Sequence, residues 1–483
     1  MIGSLNLQRY KYGIWFGVCI LSRMLTAIYY IEDIDSLRFA LAAHEYDVVA
    51  LRPHFPGYAA YCFVLRGLFE VTGNVGVSFA ILGGSAMFLI LYFSEKLWQL
   101  YVSRPTNLLP GLLFVCPLFW LMSNRYMPDI MGLALLMGGT YCMVRAWRIP
   151  TERRVALLGF GFLLGLEAGV RLSYLPFFLP AAILAVKFPR ELPRMVLAGL
   201  VGTLIWLIPL LLLTGSEELL RVAQRHTAGH FNEWGGGVTS DDAGYGVRLI
   251  AMLESIWADG LGGWWPERNG VTLLVSGGWL AGFAVGIRVF LRGKWARRSG
   301  VPLVLVSVLA YTLWAYFFQN IVYKPRHILP LLPFLILLAT AGWTKILAFR
   351  TRGRQIAAGI SLAALLLVTG VLVRQHTQPS AISQMKTWLK PRANPETAIL
   401  SNRLINHYLW RHRGFQSWFF DYHVDYSGLR DWYTTGRKVY STRRIDDFLA
   451  AQPDTVHFFA HNPYVNRLWS TVTLYEYQRD ETE

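Results

Sequence analysis

Apolar residues in this chain come in long blocks, and the blocks set its organisation. Runs near 12–31, 75–98, 108–122, 127–146, 154–171, 172–187, 194–214, 270–291, 301–319, 326–347 and 356–374 approach or exceed the length that crosses a bilayer as an α-helix, roughly 20 residues. They predict about eleven membrane-spanning helices, two of which nearly touch at Arg171. Arg9 and Lys11 precede the first run. Arg23 interrupts it and no small-residue cleavage site follows, so it reads as a retained anchor rather than a cleaved signal. A polar loop, 32–58, comes next. Pro56-Gly57-Tyr58 then opens an apolar, aromatic segment to Thr72, which reads as an interfacial or re-entrant helix.

After Arg374 the pattern changes. Ile382–Leu389 and Ile445–Ala450 read as helices, and Ala398–Ser401, Val456–Ala460 and Thr471–Tyr477 as strands. The chain is therefore expected to hold a membrane domain, 1–374, and a small α/β domain, 375–483. Outer loops 32–58 and 215–269 belong to the first. The second loop carries Glu217, Glu218, His226, His230, Glu233, Asp241 and Asp242, and Gly235-Gly236-Gly237 makes part of it mobile. An active-site cover and a solvated connection both suit it.

Composition agrees with a polytopic α-helical membrane protein: 54% of the 483 residues are hydrophobic and only 16% are charged. The net charge of +16 would suggest nucleic acid in a soluble chain. Here the cations fall in alternate short loops: Arg145, Arg148, Arg153 and Arg154; Lys187, Arg190 and Arg194; Arg292, Lys294, Arg297 and Arg298; Lys345, Arg350, Arg352 and Arg354. That alternation is the positive-inside rule. It predicts a cytoplasmic N-terminus, with loop 32–58, loop 215–269 and the α/β domain on the outer face of a plasma membrane. Membrane lipids are then the expected surroundings, and nucleic acid is not a partner. Cys19, Cys62, Cys116 and Cys142 are scattered, with neither a metal spacing nor a disulfide framework.

Loop 32–58 concentrates chemistry. Glu32, Asp33 and Asp35 come first, and Arg52 and His54 follow. Loops between spans are often charged simply because water solvates them. Carboxylates and cations at a membrane boundary also suit glycosyl transfer from a lipid phosphate, where a carboxylate takes the hydroxyl proton and cations stabilise the departing phosphate. If the loop opens as a helical turn, Glu32 and Asp35 share a face and Asp33 points elsewhere. Arg52-Pro53-His54 reads as extended, which sends Arg52 and His54 to one side.

Other charges stand at the same predicted level. Arg125 and Asp129 flank Met127-Pro128. Glu167 and Arg171 are four apart, the spacing of an intrahelical salt bridge. Tyr323, Lys324, Arg326 and His327 form a late cluster, and Trp264-Trp265 lie in the second outer loop. Ionisable residues at membrane depth are costly and usually functional, whereas at the interface they snorkel cheaply. His226, His230 and Glu233 would permit a divalent metal on one helical face, but the glycines around them argue against a stable helix, so no metal or cofactor is expected to be required. Gly159, Gly161 and Gly165 fit close helix packing and not a dinucleotide fingerprint.

Asp35-Ser36 with Phe39-Ala40-Leu41, then Tyr46-Asp47, then Arg52-Pro53-His54-Phe55-Pro56-Gly57-Tyr58, resembles the first outer loop of bacterial membrane glycosyltransferases of the C-type (GT-C) fold, relatives of the protein O-mannosyltransferases and aminoarabinose transferases. Arg326-His327-Ile328-Leu329-Pro330-Leu331-Leu332-Pro333 is similar to a run in a late span of that superfamily. Phe55 stands where a second proline would be expected. The resemblance covers roughly residues 10–345. It implies inverting transfer from a polyprenyl-phosphate sugar to a hydroxyl on a glycan, lipid or protein, with an outer-loop aspartate as base. Asp35 matches that aspartate best and Asp33 keeps a claim. Arg52, His54, Lys324, Arg326, His327, Arg171 and Arg125 are then expected around the donor phosphate. Glu32, Tyr58, Asp129, Tyr323, Trp264 and Trp265 are expected at the substrates. A transporter or flippase of a lipid-linked saccharide is the alternative, and would show repeated halves and midplane charges. A non-catalytic membrane scaffold is the third reading.

Overall fold

The computed structural model describes residues 2–102, 106–241, 243–348 and 351–479, with side chains from Tyr10 onward. Arg9 as a side chain, Asp242 and Arg350 lie outside the described residues. The chain divides into two compact units. One comprises Met1–Ile28 and Ala42–Arg374; the other comprises Tyr29–Leu41 and Gln375–Glu483. The acidic start of loop 32–58 thus folds with the C-terminal residues, and the rest of that loop folds with the helices.

The larger unit is helical. Among the described residues seven helices are long and apolar enough to cross a membrane, and the chain is an integral membrane protein. Val75–Gln99, Asp129–Arg148, Leu192–Thr214, Val271–Arg292, Val301–Phe318, Pro325–Ala348 and the helix that begins at Arg352 cover their expected ranges. Two other expected spans are broken into short pieces. The run 108–122 is two short helices, Leu108–Phe114 and Pro117–Asn124, because Pro117 has no N–H to continue the first and instead starts the second. The run 172–187 is a 3₁₀ turn, Leu172–Tyr174, then a ten-residue helix, Leu175–Leu184. Helix Arg153–Val170 ends before Arg171, which takes a non-helical φ of −149°.

Small residues let these helices close on one another. A Cβ on Gly161 would stand 2.1 Å from the Met195 carbonyl oxygen, and one on Gly165 would stand 2.2 Å from that of Gly199. The glycines of helix Arg153–Val170 are therefore packing residues, and Trp206 Nε1 donates to the Gly165 carbonyl across the seam at 2.9 Å.

Loop 215–269 is more ordered than its glycines suggest. It forms helix Ser216–Gly229, a π-helical turn His230–Trp234, helix Tyr245–Glu254 and a second π-helical turn Ser255–Gly260. Its anchor is Arg248, which is fully buried. The guanidinium donates to the carbonyls of Gly236 at 2.7 Å, Tyr316 at 2.7 and 3.1 Å, and Gln319 at 2.8 Å. The glycine run is thereby tied to the end of helix Val301–Phe318, where Val238 N also donates to the Phe317 carbonyl at 2.9 Å. Removing the guanidinium leaves three carbonyls without it, each worth about 1–3 kcal/mol if it stays unsatisfied. Arg248→Ala is expected to lower the thermal unfolding midpoint of the full chain and to open the 230–245 region to limited proteolysis. Unchanged melting and cleavage would show that the loop is held by other contacts.

In the smaller unit five strands form one sheet: β1 (Thr397–Ser401), β2 (Trp418–Asp421), β3 (Lys438–Ser441), β4 (Thr455–Ala460) and β5 (Thr471–Tyr477), in the order β2-β1-β3-β5-β4. β1 runs parallel to β2 and β3, whereas β5 is antiparallel to β3 and β4. One face buries Ala398, Leu400, Val439 and Tyr477 against Leu429, Ile445 and Leu449. Helix Ala381–Leu389 packs on β4 and β5, and helix Arg403–Arg413 on β1 and β2.

Candidate active site

The Tyr29–Leu41 segment is organised by its own polar residues. Helix Ile34–His44 is capped by Asp33, whose Oδ1 accepts from Ser36 N at 2.8 Å, while Ser36 Oγ accepts from the N–H groups of Asp33 at 2.9 Å and Glu32 at 2.8 Å. This reciprocal arrangement is a capping box. It corrects the expectation of a helical face shared by Glu32 and Asp35, since the helix begins only after Asp33. Glu32 Oε1 lies 3.0 Å from His376 Nε2, and its carbonyl accepts from Asn466 Nδ2 at 2.7 Å. Asp35, in the first turn, pairs with Arg38 Nη1 at 3.0 Å. The three acids therefore have separate duties within this unit: a tether, a cap and an ion pair.

In the helical unit a second cluster forms around Asp129, which is fully buried at the start of helix Asp129–Arg148. Arg171 Nη2 lies 2.8 Å from Asp129 Oδ1, and Arg326 Nε lies 3.8 Å from the same oxygen. Arg171 Nη1 also reaches the Tyr58 hydroxyl at 3.4 Å, and that hydroxyl is 3.0 Å from His54 Nε2. Four separate stretches of chain thus meet through His54, Tyr58, Arg171, Asp129 and Arg326. Arg171 can leave the helix axis because Val170 ends the helix, which is why it joins Asp129 and not Glu167. The expected Glu167–Arg171 pair is not formed: both Glu167 carboxyl oxygens are buried without a hydrogen-bond partner.

The other expected residues stand around this cluster or apart from it. Arg125 is buried at the end of helix Pro117–Asn124, in the turn that leads to Asp129. His327 is buried in the 3₁₀ segment Pro325–Leu331 that carries Arg326, where its carbonyl accepts from the Tyr311 hydroxyl at 2.9 Å. Lys324 is half-buried just before that segment. His230 has its pKa lowered by burial, with Lys324 and Arg171 adding to the effect, so His230 belongs to the same electrostatic neighbourhood. Arg52 is placed differently. Asp47 and Arg52 form an antiparallel bridge, and the guanidinium lies 2.6 Å from Glu45 and 3.4 Å from Asp47, so its charge is already matched by two carboxylates. Tyr323 and Trp264 are exposed and Trp265 half-buried. His226 and His230 do lie on a continuous helical stretch, contrary to the reading from the nearby glycines. His226 stacks 6.1 Å from His54.

Below the Pro325–Leu331 segment an apolar cavity of about 450 Å³ runs between helices Val271–Arg292, Val301–Phe318 and Leu332–Ala348, lined by Leu331, Phe334, Val304, Val308, Gly286 and Trp295 among others. The cavity shares with the Asp129 cluster only the Pro325–Leu331 segment, which carries Arg326 at its start and the lining residue Leu331 at its end.

The chain matches the structure of ArnT from Cupriavidus metallidurans bound to undecaprenyl phosphate over 98% of both chains, with TM-score 0.57 and 11% identity. The apo form of the same protein matches over 97% of this chain and 98% of that one, again with TM-score 0.57 and 11% identity. The archaeal oligosaccharyltransferase AglB from Archaeoglobus fulgidus, solved with an inhibitory peptide and a dolichol-phosphate, matches over 91% of this chain and 70% of that one at TM-score 0.47 and 11% identity, too distant to carry an argument. No protein-family model and no curated protein sequence matches the chain. The likeness to ArnT is one of fold: the chain has the GT-C fold.

Proposed function

We propose that this chain is an inverting glycosyltransferase that moves a sugar from a polyprenyl-phosphate donor to a hydroxyl of a glycan, lipid or protein on the outer face of a bacterial inner membrane. The observation that carries the reading is the buried Asp129 with Arg171 and Arg326 on one of its oxygens. Two buried guanidiniums converge on one carboxylate oxygen in a low-dielectric interior. A cation placed where negative charge develops stabilises a leaving phosphate far more there than in water. The apolar cavity lined by Leu331 and Phe334 suits a lipid tail, and the ArnT structure of the same fold was solved with undecaprenyl phosphate.

In this reading Arg171 and Arg326 hold the donor phosphate, with Lys324, His327, Arg125 and His54 around them, and Asp129 fixes the two guanidiniums. As the acceptor oxygen bonds to the anomeric carbon, the sugar–phosphate bond breaks, its electron pair goes to the phosphate oxygen, and the acceptor's proton passes to a carboxylate base, the role for which Asp35 is proposed from the first-loop resemblance alone. Charge stabilisation comes from guanidiniums, so no metal is required. Purified full chain in detergent, given polyprenyl-phosphate sugars, a hydroxyl acceptor and a chelator, is expected to release polyprenyl phosphate and to form product of inverted anomeric configuration. Release with retention, or none across a panel of lipid-linked sugars, would contradict the assignment.

A further inference from the structure

Helix Tyr245–Glu254, inside loop 215–269, is built inside out. Its cation, Arg248, is buried together with Ala251 and Met252. Its large apolar side chains point away from the protein: Tyr245 is 66% exposed, Leu249 50%, Ile250 57% and Leu253 50%. Glu254, the acid of this helix, is half-buried at its last residue. A helix at a water surface does the reverse, burying an apolar stripe and exposing its charges. In hydrocarbon a cation turns to the protein interior and pairs with backbone carbonyls. Arg248 does so, on the carbonyls of Gly236, Tyr316 and Gln319.

Contacts with two spans give the depth of the stretch. Helices Val271–Arg292 and Val301–Phe318 are consecutive spans, so Val271 and Phe318 stand at one membrane face. Close to that face, the Tyr316 hydroxyl donates to the Tyr245 carbonyl at 2.9 Å. Ile256 lines the same cavity as Thr312 and Val308, which precede Phe318 by roughly 9 and 15 Å at 1.5 Å per residue. On the other span, Trp279 Nε1 donates to the Leu261 carbonyl at 2.8 Å, about 12 Å in from Val271 by the same rise. Trp264 N then donates to Ser276 Oγ at 2.7 Å, nearer to Val271, so the chain is already returning.

A turn at such depth meets no water, and non-helical backbone persists in a bilayer only where protein satisfies it. The turn meets that condition. The Gly260 carbonyl accepts from Cys116 Sγ at 3.1 Å, and Arg268 Nη1 donates to the carbonyls of Ala258 and, at 3.3 Å, Gly263. The N–H groups of Leu261, Gly262 and Gly263 donate to the carbonyls of Ile256 at 3.1 Å, Ala258 at 3.1 Å and Trp257 at 2.8 Å.

We infer that residues 245–264 form a re-entrant hairpin sunk into one leaflet of the bilayer, with Tyr245, Leu249, Ile250 and Leu253 packed against lipid acyl chains. This face borders helix Val301–Phe318, whose own Val306, Leu309 and Leu313 are likewise exposed. A protein partner would cover the same apolar residues, but it would account neither for the depth of Leu261 nor for the buried cation. This part of the loop is therefore neither a cover nor a solvated connection. The inference is independent of the reaction at the Asp129 cluster.

The test is spin labelling of Leu249→Cys and Leu253→Cys in the full chain, reconstituted in phosphatidylcholine vesicles. Relaxation of the label is measured with oxygen, which concentrates in hydrocarbon, and with a water-soluble nickel chelate. Leu309→Cys is the reference in lipid, and Val424→Cys, exposed in the smaller unit, is the reference in water. The unsubstituted chain, with Cys19, Cys62 and Cys116 buried and Cys142 half-buried, is the blank. Both positions are expected to relax with oxygen as Leu309→Cys does and to lose the nickel response seen at Val424→Cys. Ile250→Cys, on the same face, replaces either variant if its thermal midpoint falls below that of the parent. A nickel response equal to that of Val424→Cys would show a solvated loop and overturn the inference. Weak relaxation by both reagents would show a protein cover and overturn it equally.

Discussion

Asp35→Asn is expected to reduce turnover on the order of a hundredfold or more while donor binding stays largely intact. The substitution keeps the size of the side chain and its contact with Arg38, and removes only the basic carboxylate. The capping geometry sharpens the contrast with its neighbours. Asp33 spends Oδ1 on the Ser36 N–H, and asparagine caps a helix as well as aspartate does. Asp33→Asn should therefore leave both helix and activity close to normal. Asp33→Ala should lower stability by about 1 kcal/mol without a matching loss in kcat. Glu32→Gln should cost less than Asp35→Asn, because Glu32 serves His376. A dead Asp33→Asn beside an active Asp35→Asn would exchange the two roles. Normal turnover in all three variants would remove this segment from the chemistry.

The second large effect concerns the cations. Arg326→Ala is expected to weaken donor use roughly tenfold or more, since a charge-assisted contact contributes about 1.5–3 kcal/mol. The loss should appear in the kinetics of the lipid donor and not in those of the acceptor. Arg52→Ala is the internal contrast. With its guanidinium on Glu45 and Asp47, it should alter stability of the 45–52 turn more than donor use. Donor kinetics unchanged in Arg326→Ala and lost in Arg52→Ala would move the phosphate site to the other side of loop 32–58.

Legibility in the sequence followed the range of the interaction. Long apolar blocks announce spans because each block carries the whole signal locally. The breaks at Pro117 and Arg171 were partly visible, one as a proline and the other as two runs meeting at a charge. β4 and β5 were legible as runs of β-branched and aromatic residues, whereas β2 and β3 are four residues long and too short to show a period. Helix Arg403–Arg413, absent from the sequence-based expectation, carries readable signals: Asn402 accepts from Ile405 N as its cap, Gly414 ends it in the left-handed region, and Leu404, Ile405, Tyr408 and Leu409 form one buried stripe. The site residues Arg125, Asp129, Arg171, Arg326 and His54 were legible as polar groups at one membrane level. Their partners were not, because Asp129 and Arg326 meet through folding and no local spacing encodes that. Arg248 left no signature at all, since its partners are backbone carbonyls.

The central claim is that Arg171 and Arg326, held by Asp129, receive a lipid phosphate. A structure of the full chain with a polyprenyl phosphate bound tests it most directly. The account predicts phosphate oxygens within about 3 Å of the Arg171 and Arg326 guanidiniums, with the polyprenyl chain leading into the cavity lined by Leu331 and Phe334. A phosphate bound away from both arginines, with their contacts to Asp129 unchanged, would contradict it.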